Sequence, residues 1–468
     1  MATKTKQAKD YLWTGTELSE ALGVQVPAEA KITSVSIDTR TLKKNSLFVA
    51  IRGHNLNGND FAADAIKKGA LLCIVDEVNP TSKKYHGQLI VVDNTLEALN
   101  RLAKYARTRV RGKIIGVTGS VGKTSTKEML KVAFENQGEV YATEGNFNNH
   151  FGLPLCLANM PKDTDYGILE MGMSSAGELS HLSQLAKPDI AIVTTVAPAH
   201  LEFFTSVSAI AAAKAEIFDG VPSDGVAIVN ADNPYTPILI ERAQKLKLKV
   251  VTFGEVNKAD FKLLSYTIKN GCSHLAAQCY TKDIPYYISS LGKHLAINST
   301  AVLAAAKESG AEVEFAARNL RNFRAHKGRG EVHEVANLNI TVIDDSYNAN
   351  PASMKAAMEL LAEYKAQGRR VIAVLGNMLE LGVKASEMHG SLSEDIVKNH
   401  VDVVYTVGDL MLNLFDKLPI PSRGGHAANS NDMANILKKQ IKSGDVVLVK
   451  GSNAMKMKAI VSRLLGGA

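Results

Sequence analysis

The stretch GVTGSVGKTSTKEM, residues 116–129, constrains the fold more than any other part of the chain. The residues KIIGVT that lead into it are apolar and β-branched, as in a buried strand, and KEMLKVAFENQ after it has apolar side chains at helical spacing. A loop between a strand and a helix can bind phosphate, because its backbone N–H groups converge on an anion at the helix N-terminus. The stretch therefore predicts a nucleotide site within an α/β domain.

The loop departs from the general pattern G-x-x-x-x-G-K-[ST], since Val117 stands where the first glycine is expected. The other requirements are met: glycines give backbone freedom, Lys123 can reach the outer phosphates, and Thr124 can place a hydroxyl on Mg²⁺. A chance glycine-rich turn is the alternative, and GKTS between a strand and a helix argues against it. We expect the nucleotide to be bound by Thr118, Gly119, Ser120, Val121, Gly122, Lys123, Thr124 and Ser125.

Composition excludes several classes of protein. The chain has 468 residues, of which 46% are hydrophobic and 22% charged, which is ordinary for a globular protein of several domains. A net charge of +7 suits an anionic ligand, but no clustered basic stripe or known motif indicates nucleic acid. The four cysteines form no C-x-x-C pair, which predicts reduced thiols in the cytoplasm. We expect no signal segment and no membrane span, because no uncharged apolar run is long enough.

Strand and helix patterns divide the chain into three α/β domains. Residues 1–92 predict a small mixed α/β domain, and residues 93–325 predict a central P-loop domain with a doubly wound parallel sheet. Residues 326–468 predict a Rossmann-like α/β domain that begins after the polar segment RAHKGRG. Within the central domain, the alternating pattern of 251–291 predicts antiparallel strands.

The form T-G-x-x-G-K-T-[ST] of the loop resembles that of the Mur ligase family, the ATP-dependent amide-forming enzymes of peptidoglycan synthesis. Further segments resemble the same family in order along nearly the whole chain, among them TEGNFNNHFGLPL, ILEMGMSS, PAHLEFF and AKAEIF. The resemblance implies that ATP is the nucleotide, with Mg²⁺ at two sites.

Three residues near the loop are metal candidates. Glu170 ends a buried strand, where an acid in an open α/β sheet can bind Mg²⁺, although capping of a helix is the ordinary alternative. The resemblance implies that Glu170 binds Mg²⁺ and that His200, which also follows a strand, binds a second ion. It further implies that Lys214 is carbamylated, which would make a cation into an oxygen ligand. Thr124 completes this set, and Lys123, Lys214 and His200 are the candidate catalytic residues of the central domain.

The resemblance also assigns substrate and nucleotide contacts. Asn146, Asn148 and Asn149 are expected by the substrate, and Thr39 and Arg40 are candidates for contacts to a UDP-sugar. In GKHLAINSTAVLAAA the family has two Asn residues near adenine; Leu295 replaces the first. The expected contacts of the nucleotide outside the loop are Asn298, Arg329, Asp345 (with Asp344 as the alternative), Tyr347 and Asn348, with Arg329 and Asp345 also catalytic.

The segment IDDSYNANPASM resembles the family member that joins D-alanyl-D-alanine to a UDP-N-acetylmuramoyl-tripeptide. This implies an ADP-forming acid–D-amino-acid ligase in the cytoplasm, acting as a monomer on those two partners. VLGNMLELG and LVKGSNAMKMKAIV are similar to segments of the same member, with Asn377, Asn453 and Lys458 as departures. The third residue of the tripeptide, lysine or diaminopimelate, stays open.

Two further classes remain as alternatives. A sister ligase would add a single amino acid, and a P-loop regulatory ATPase would hydrolyse ATP without making an amide. A dehydrogenase is disfavoured, because no strand is followed by G-x-G-x-x-G.

Overall fold

Three sheets organise the chain in the computed structural model, which describes residues 11–53, 55–269 and 271–466. The first ten residues, for which the sequence predicts no signal segment, lie outside the described residues. Within the described part of the chain, no helix is both long enough and apolar enough to cross a membrane.

The N-terminal unit has a small parallel sheet with the order β3-β4-β5-β6, and β1 and β2 form a separate antiparallel pair. Its strands are β1 (Trp13–Thr14), β2 (Lys31–Ile32), β3 (Ser34–Ser36), β4 (Ser46–Val49), β5 (Ala70–Val75) and β6 (Leu89–Val91), and its helices are α1 (Gly15–Leu22) and α2 (Ala62–Lys67). Helix α3 (Thr95–Arg109) connects this unit to the central one, since its apolar side chains lie in the hydrophobic cores of both.

The central unit is a nine-stranded sheet with the order β15-β14-β13-β12-β11-β10-β7-β9-β8. Its strands are β7 (Lys113–Thr118), β8 (Val140–Ala142), β9 (Tyr166–Glu170), β10 (Ile190–Val193), β11 (Val226–Asn230), β12 (Lys249–Gly254), β13 (Phe261–Lys269), β14 (Cys272–Cys279) and β15 (Lys282–Ile288). Its helices are α4 (Lys123–Phe134), α5 (Gly152–Ala158), α6 (Glu178–Ala186), α7 (Val207–Ala215), α8 (Thr236–Lys245), α9 (Lys293–Glu308) and α10 (Val313–Asn319).

The chain leaves β7 toward β8 and β9 on one side and then crosses to β10 on the other. The carboxyl ends of β7, β9 and β10 therefore border a topological switch point, where open α/β sheets bind ligands. The antiparallel prediction for 251–291 is confirmed for β13, β14 and β15, which extend the central sheet beyond β12. Its first residues, 251–254, belong instead to β12, which pairs parallel with β11 and β13.

The C-terminal unit is a six-stranded sheet with the order β16-β17-β21-β18-β19-β20, parallel except for the edge strand β16. Its strands are β16 (Glu331–Val335), β17 (Ile340–Asp345), β18 (Val371–Gly376), β19 (Val403–Val407), β20 (Arg423–Ala427) and β21 (Val446–Lys450). Its helices are α11 (Pro351–Lys365), α12 (Ala385–Lys398), α13 (Leu412–Phe415), α14 (Ser430–Leu437) and α15 (Lys458–Leu464). The α/β fold class is confirmed; the sequence patterns missed β16 and β20, which lack the apolar runs of the buried strands.

A half-buried polar contact joins the central and C-terminal units away from the switch point. Tyr266 on β13 donates from its hydroxyl to Glu363 Oε1 on α11 at 2.6 Å, and the backbone N–H of Gly292 donates to the same hydroxyl at 3.2 Å. Burial raises the pKa of Glu363 to about 7, against the opposing effect of the Tyr266 hydrogen bond. Glu359 raises this pKa further, and Lys293 lowers it.

Because of Glu363, the stability of the fold is expected to fall as the pH rises toward neutrality. Because the native state holds the proton more tightly than the unfolded chain, the contribution of Glu363 to stability is complete below its ordinary pKa of 4.5 and is lost as the pH rises through about 7. Glu363→Gln keeps an acceptor for Tyr266 but cannot ionise. We expect its free energy of unfolding to rise relative to the wild type from about pH 5 to about pH 8, measured by urea denaturation. The exposed Glu394→Gln is the control, and an equal pH profile for wild type and Glu363→Gln would contradict the assignment.

Candidate active site

The phosphate loop leaves β7 at the switch point and enters α4 at Lys123. Two of its residues must be glycine: Gly119 has φ +150° and Gly122, the N-cap of α4, has φ +87°. A Cβ on Gly119 would overlap Thr194 Oγ1, and one on Gly122 would lie 2.5 Å from Asn298 Nδ2. The loop is thus pressed against the segment after β10 and against α9, which leaves no room for side chains at these two positions.

Hydrogen bonds hold the loop to its neighbours. Ser120 donates from its backbone N–H to Thr195 O at 2.9 Å and from its hydroxyl to Ala197 O at 2.9 Å. Lys123 Nζ donates to Gly119 O at 2.7 Å, which folds the side chain back over the loop. Burial lowers the pKa of Lys123, the carboxylate of Glu170 opposes that shift, and Arg329 adds to it.

Glu170 is the buried acid beside the loop, with 1% of its surface exposed. Thr124 donates from Oγ1 to Glu170 Oε2 at 2.8 Å, and Asn148 donates from Nδ2 to Glu170 Oε1 at 2.8 Å. One carboxylate thus connects β9, α4 and the Asn-rich segment after β8. Carboxylate and hydroxyl oxygens are hard donors, so Thr124 and Glu170 are suited to a Mg²⁺ ion.

Lys214 and His200 supply the nitrogen groups of the same region. Lys214, on α7, is 2% exposed, and among the described residues its ammonium group has no hydrogen-bond or ion-pair partner. Burial holds its pKa well below the ordinary value, and the charge of Lys123 lowers it further. Burial also lowers the pKa of His200, against the raising effect of Glu380; Lys123 and Lys214 lower it further. Both shifts favour the uncharged forms, an imidazole and an amine, which fits a metal ligand and an amine that reacts with CO₂.

The C-terminal sheet contributes the opposite wall. Lys450, at the end of β21, donates to Asp345 Oδ2 at 2.7 Å and to Asn348 O at 2.9 Å. Burial raises the pKa of Asp345, although Lys450 opposes that shift. Asp344 faces the other side of β17, where it accepts from Ser346, because successive strand residues point to opposite faces. Of the two candidate aspartates, Asp345 therefore borders the site.

The two walls enclose one cavity of about 370 Å³, a size typical of small-ligand sites. The guanidinium of Arg329 lies 4.1 Å from the ring centroid of Tyr347 on its C-terminal side. The predicted site residues that line it are Ser120, Val121, Gly122, Lys123, Ser125, Asn146, Asn148, Asn149, Glu170, His200, Arg329, Asp345, Tyr347 and Asn348.

Other predicted residues lie outside that lining. Asn298 is buried behind Gly122, and Thr118 is buried below the loop, where its hydroxyl donates to Met171 O at 2.8 Å. Thr39 and Arg40 lie in the N-terminal unit, where the guanidinium of Arg40 pairs with Asp38 at 2.6 Å. These positions keep Thr39 and Arg40 apart from the nucleotide residues.

Sequence reasoning missed four residues at this site. Lys450 and His294 line the cavity, and burial lowers the pKa of His294 to about 4. Asn350 approaches the phosphate loop, its Nδ2 3.4 Å from Ser120 O, and Glu380 contacts His200. All four lie in segments that resemble the family, but only Lys450 also had a signal in the strand pattern, since the apolar run DVVLVK places it at the end of a buried strand.

A phosphate loop at the switch point of a doubly wound sheet, with a buried acid beside its Lys and Thr, defines a P-loop nucleotide-binding protein. Comparison of the sequence with models of known protein families identifies the family within this class. The Mur ligase middle domain matches residues 117–306, the Mur ligase glutamate ligase domain matches 328–453, and the Mur ligase family catalytic domain matches 31–107. The chain belongs to the Mur ligase family.

Individual relatives agree over nearly the full length. The chain is similar to the UDP-N-acetylmuramoyl-tripeptide--D-alanyl-D-alanine ligase of Rickettsia prowazekii, with 36% identity over 96% of this chain and 99% of that protein. Among solved structures it is similar to MurF from Acinetobacter baumannii, with a TM-score of 0.86, 26% identity and coverage of 97% and 98% of the two chains. It is also similar to the MurF ligase of Thermotoga maritima in complex with ADP, with a TM-score of 0.80, 27% identity and coverage of 92% and 97%.

The packing around Gly119 predicts that Gly119→Ala weakens nucleotide binding. The new Cβ overlaps Thr194 Oγ1 in a backbone conformation that alanine rarely adopts. Backbone strain of about 1–3 kcal/mol and overpacking of about 1–3 kcal/mol are relieved when the loop shifts from its phosphate-binding geometry, so we expect at least a tenfold loss of affinity. Titration calorimetry with ADP measures the loss. Gly310→Ala is the matched control, since Gly310 has φ +82° and no atom near its Cβ; equal affinities for both variants would refute this account of the loop.

Proposed function

We propose that the protein is an ATP-dependent ligase that joins D-alanyl-D-alanine to a UDP-N-acetylmuramoyl-tripeptide and releases ADP and phosphate. One observation carries the proposal: the phosphate loop and the DDSYNANP segment face each other across a single cavity. The name of the Rickettsia prowazekii relative and the ADP complex of the Thermotoga maritima relative support the same reaction.

The chemistry explains why a nucleotide site and a peptide site must meet. A carboxylate and an amine do not condense unaided in water, so the carboxylate needs a better leaving group. The tripeptide carboxylate attacks the γ-phosphorus of ATP, which forms an acyl phosphate and ADP. The amine of D-alanyl-D-alanine then attacks the acyl carbon, and phosphate leaves. Most of the rate enhancement comes from positioning and from stabilisation of charge.

The residues of the cavity fit these tasks. Lys123 and Arg329 place positive charge around the β- and γ-phosphates, and backbone N–H groups of the loop bind their oxygens. Asp345 and Lys450, paired at 2.7 Å, fix the C-terminal wall against the nucleotide together with Tyr347. Asn146, Asn148 and Asn149 offer amide groups to the tripeptide near Glu170.

Mg²⁺ would supply further positive charge to the phosphates. Thr124 and Glu170 are suited to one ion, and His200 with a carbamylated Lys214 to a second. The protein groups that surround these positions, Asn148 above all, keep the carboxylate of Glu170 oriented by hydrogen bonds.

Each domain has a proposed task. Residues 1–92, with Thr39 and Arg40, bind the UDP-sugar; residues 93–325 bind ATP; and residues 326–468 complete the nucleotide site and bind the dipeptide. We place this monomeric enzyme in the cytoplasm, where ATP is available and its free cysteines stay reduced.

An acceptor-dependent phosphate assay tests the proposed function. With ATP and the UDP-tripeptide present, we expect phosphate release only after D-alanyl-D-alanine is added, in equal amounts with the amide product measured by mass spectrometry. Lys123→Ala should lower the rate by roughly 10³-fold, because the variant loses charge stabilisation of the transferring phosphoryl group. Turnover with single amino acids would favour a sister ligase, and phosphate release without any acceptor would favour a regulatory ATPase.

Lys214 is expected to carry CO₂. Its buried amine with a lowered pKa is a nucleophile, so intact-mass spectrometry in bicarbonate and Mg²⁺ should show the mass of one CO₂ added to the protein and lost in Lys214→Ala. Lys127 is the matched control, because it is equally buried but its ammonium pairs with Glu128 at 2.8 Å. Lys127→Ala should keep the added mass. An unmodified wild type, or an added mass that persists in Lys214→Ala, would contradict the assignment.

A further inference from the structure

Glu380 of the C-terminal unit contacts His200 of the central unit, and none of the roles proposed above explains this contact. Glu380 Oε2 lies 2.5 Å from His200 Nδ1. The backbone N–H of Glu202 donates to Glu380 O at 3.2 Å, so side chain and main chain meet at the same place. The two segments lie 180 residues apart in sequence and belong to different sheets.

The segment that carries Glu380, residues 377–382 after β18, is held by its own domain. The backbone N–H of Met378 donates to His389 Nε2 at 2.9 Å, and that of Leu379 donates to Ser452 Oγ at 2.9 Å. The two acceptors, His389 and Ser452, are buried. Glu380 is therefore presented to the central unit from a fixed turn.

The backbone on both sides of the contact is unusual. His200 has φ +58° and Glu380 has φ +63°, in the left-handed region that residues with side chains rarely adopt. Gly382, two residues further on, also has a left-handed φ of +60°, and it lies against Glu202 at an ordinary contact distance. Strained residues of this kind persist where the surrounding structure holds them, and they cluster at functional sites.

The contact with Glu380 engages Nδ1 of His200, which settles the tautomer of the imidazole. A carboxylate accepts hydrogen bonds, so the proton lies on Nδ1 and the lone pair lies on Nε2. His200 lines the cavity together with Lys123 and Glu170. A carboxylate on the far nitrogen is the usual way in which proteins orient a metal-binding histidine, and its loss typically weakens metal affinity by about 10–100-fold.

We propose that Glu380 is a positioning residue, which holds the His200 imidazole with Nε2 directed at the divalent cation. This inference rests on the proposed function, in which His200 is a metal ligand. Because Glu380 comes from the C-terminal unit, the hydrogen bond that orients His200 forms only when that unit packs against the central one. The metal site and the domain arrangement are thereby coupled through one hydrogen bond.

Binding of Mn²⁺, followed by the paramagnetic resonance signal of the free ion, tests the proposal on the full-length protein. Glu380→Ala should weaken Mn²⁺ affinity by at least about tenfold. Glu380→Gln keeps an oxygen that accepts from Nδ1 and should recover most of that affinity. Glu202→Gln is the matched control: it removes an exposed carboxylate two residues from His200, while its backbone contact to Glu380 stays, and its affinity should equal the wild type. Circular dichroism of each variant verifies its fold.

Three outcomes would overturn the proposal. If Glu380→Ala bound Mn²⁺ with wild-type affinity, Glu380 would have no role at the metal site. If Glu380→Ala and Glu202→Gln lost the same Mn²⁺ affinity, the effect would come from the loss of a negative charge and not from the hydrogen bond. Equal losses in Glu380→Ala and Glu380→Gln would exclude a hydrogen bond to Nδ1. A separate variant, His200→Ala, identifies failure of the proposed function itself: if it binds Mn²⁺ as the wild type does, His200 is not a ligand, whatever Glu380 does.

Discussion

Incompletely balanced positive charge at a buried site is the constraint on which the rest of the structure depends. Lys123 lies half-buried in the cavity that Arg329 also lines, and its pKa is lowered by burial and by the charge of Arg329. Glu170 is the acid beside Lys123, and both of its oxygens already accept hydrogen bonds. Positive charge that is buried without full compensation costs free energy, and a polyanionic ligand offsets this cost when it binds. The site is thus arranged for a ligand with several negative charges, and the triphosphate of ATP meets that requirement.

The topology explains how these groups come together. Lys123, Glu170 and His200 follow three adjacent strands of the central sheet, whose carboxyl ends meet at the switch point. Asp345 and Lys450 end neighbouring strands of the C-terminal sheet in the same way. The carboxyl edges of two α/β sheets therefore face each other across one cavity. A reaction that needs both a nucleotide and separate peptide substrates is well served by such an arrangement.

Much of this could be predicted from the sequence, because it depends on local pattern. The phosphate loop lies between an apolar strand and a helix, and Glu170 ends an apolar run. Pattern did not reveal Glu380 or Asn350, because their contacts depend on how two sheets pack, which no local segment encodes. The choice between Asp344 and Asp345 depended on the pleat of β17, which a short motif leaves open. The edge strand β16 was missed because three of its five residues, EVHEV, are polar, so that it has no apolar run.

In the proposed reaction, this cavity activates a peptide carboxylate by transferring the γ-phosphoryl group of ATP to it. The most direct measurement uses a UDP-tripeptide whose terminal carboxylate carries ¹⁸O on both oxygens. In an acyl phosphate, one carboxylate oxygen bridges to phosphorus and stays with the phosphate when the amine attacks carbon. The account predicts that mass spectrometry finds one ¹⁸O in each phosphate released. Phosphate without ¹⁸O, formed at the same rate as the amide, would contradict it.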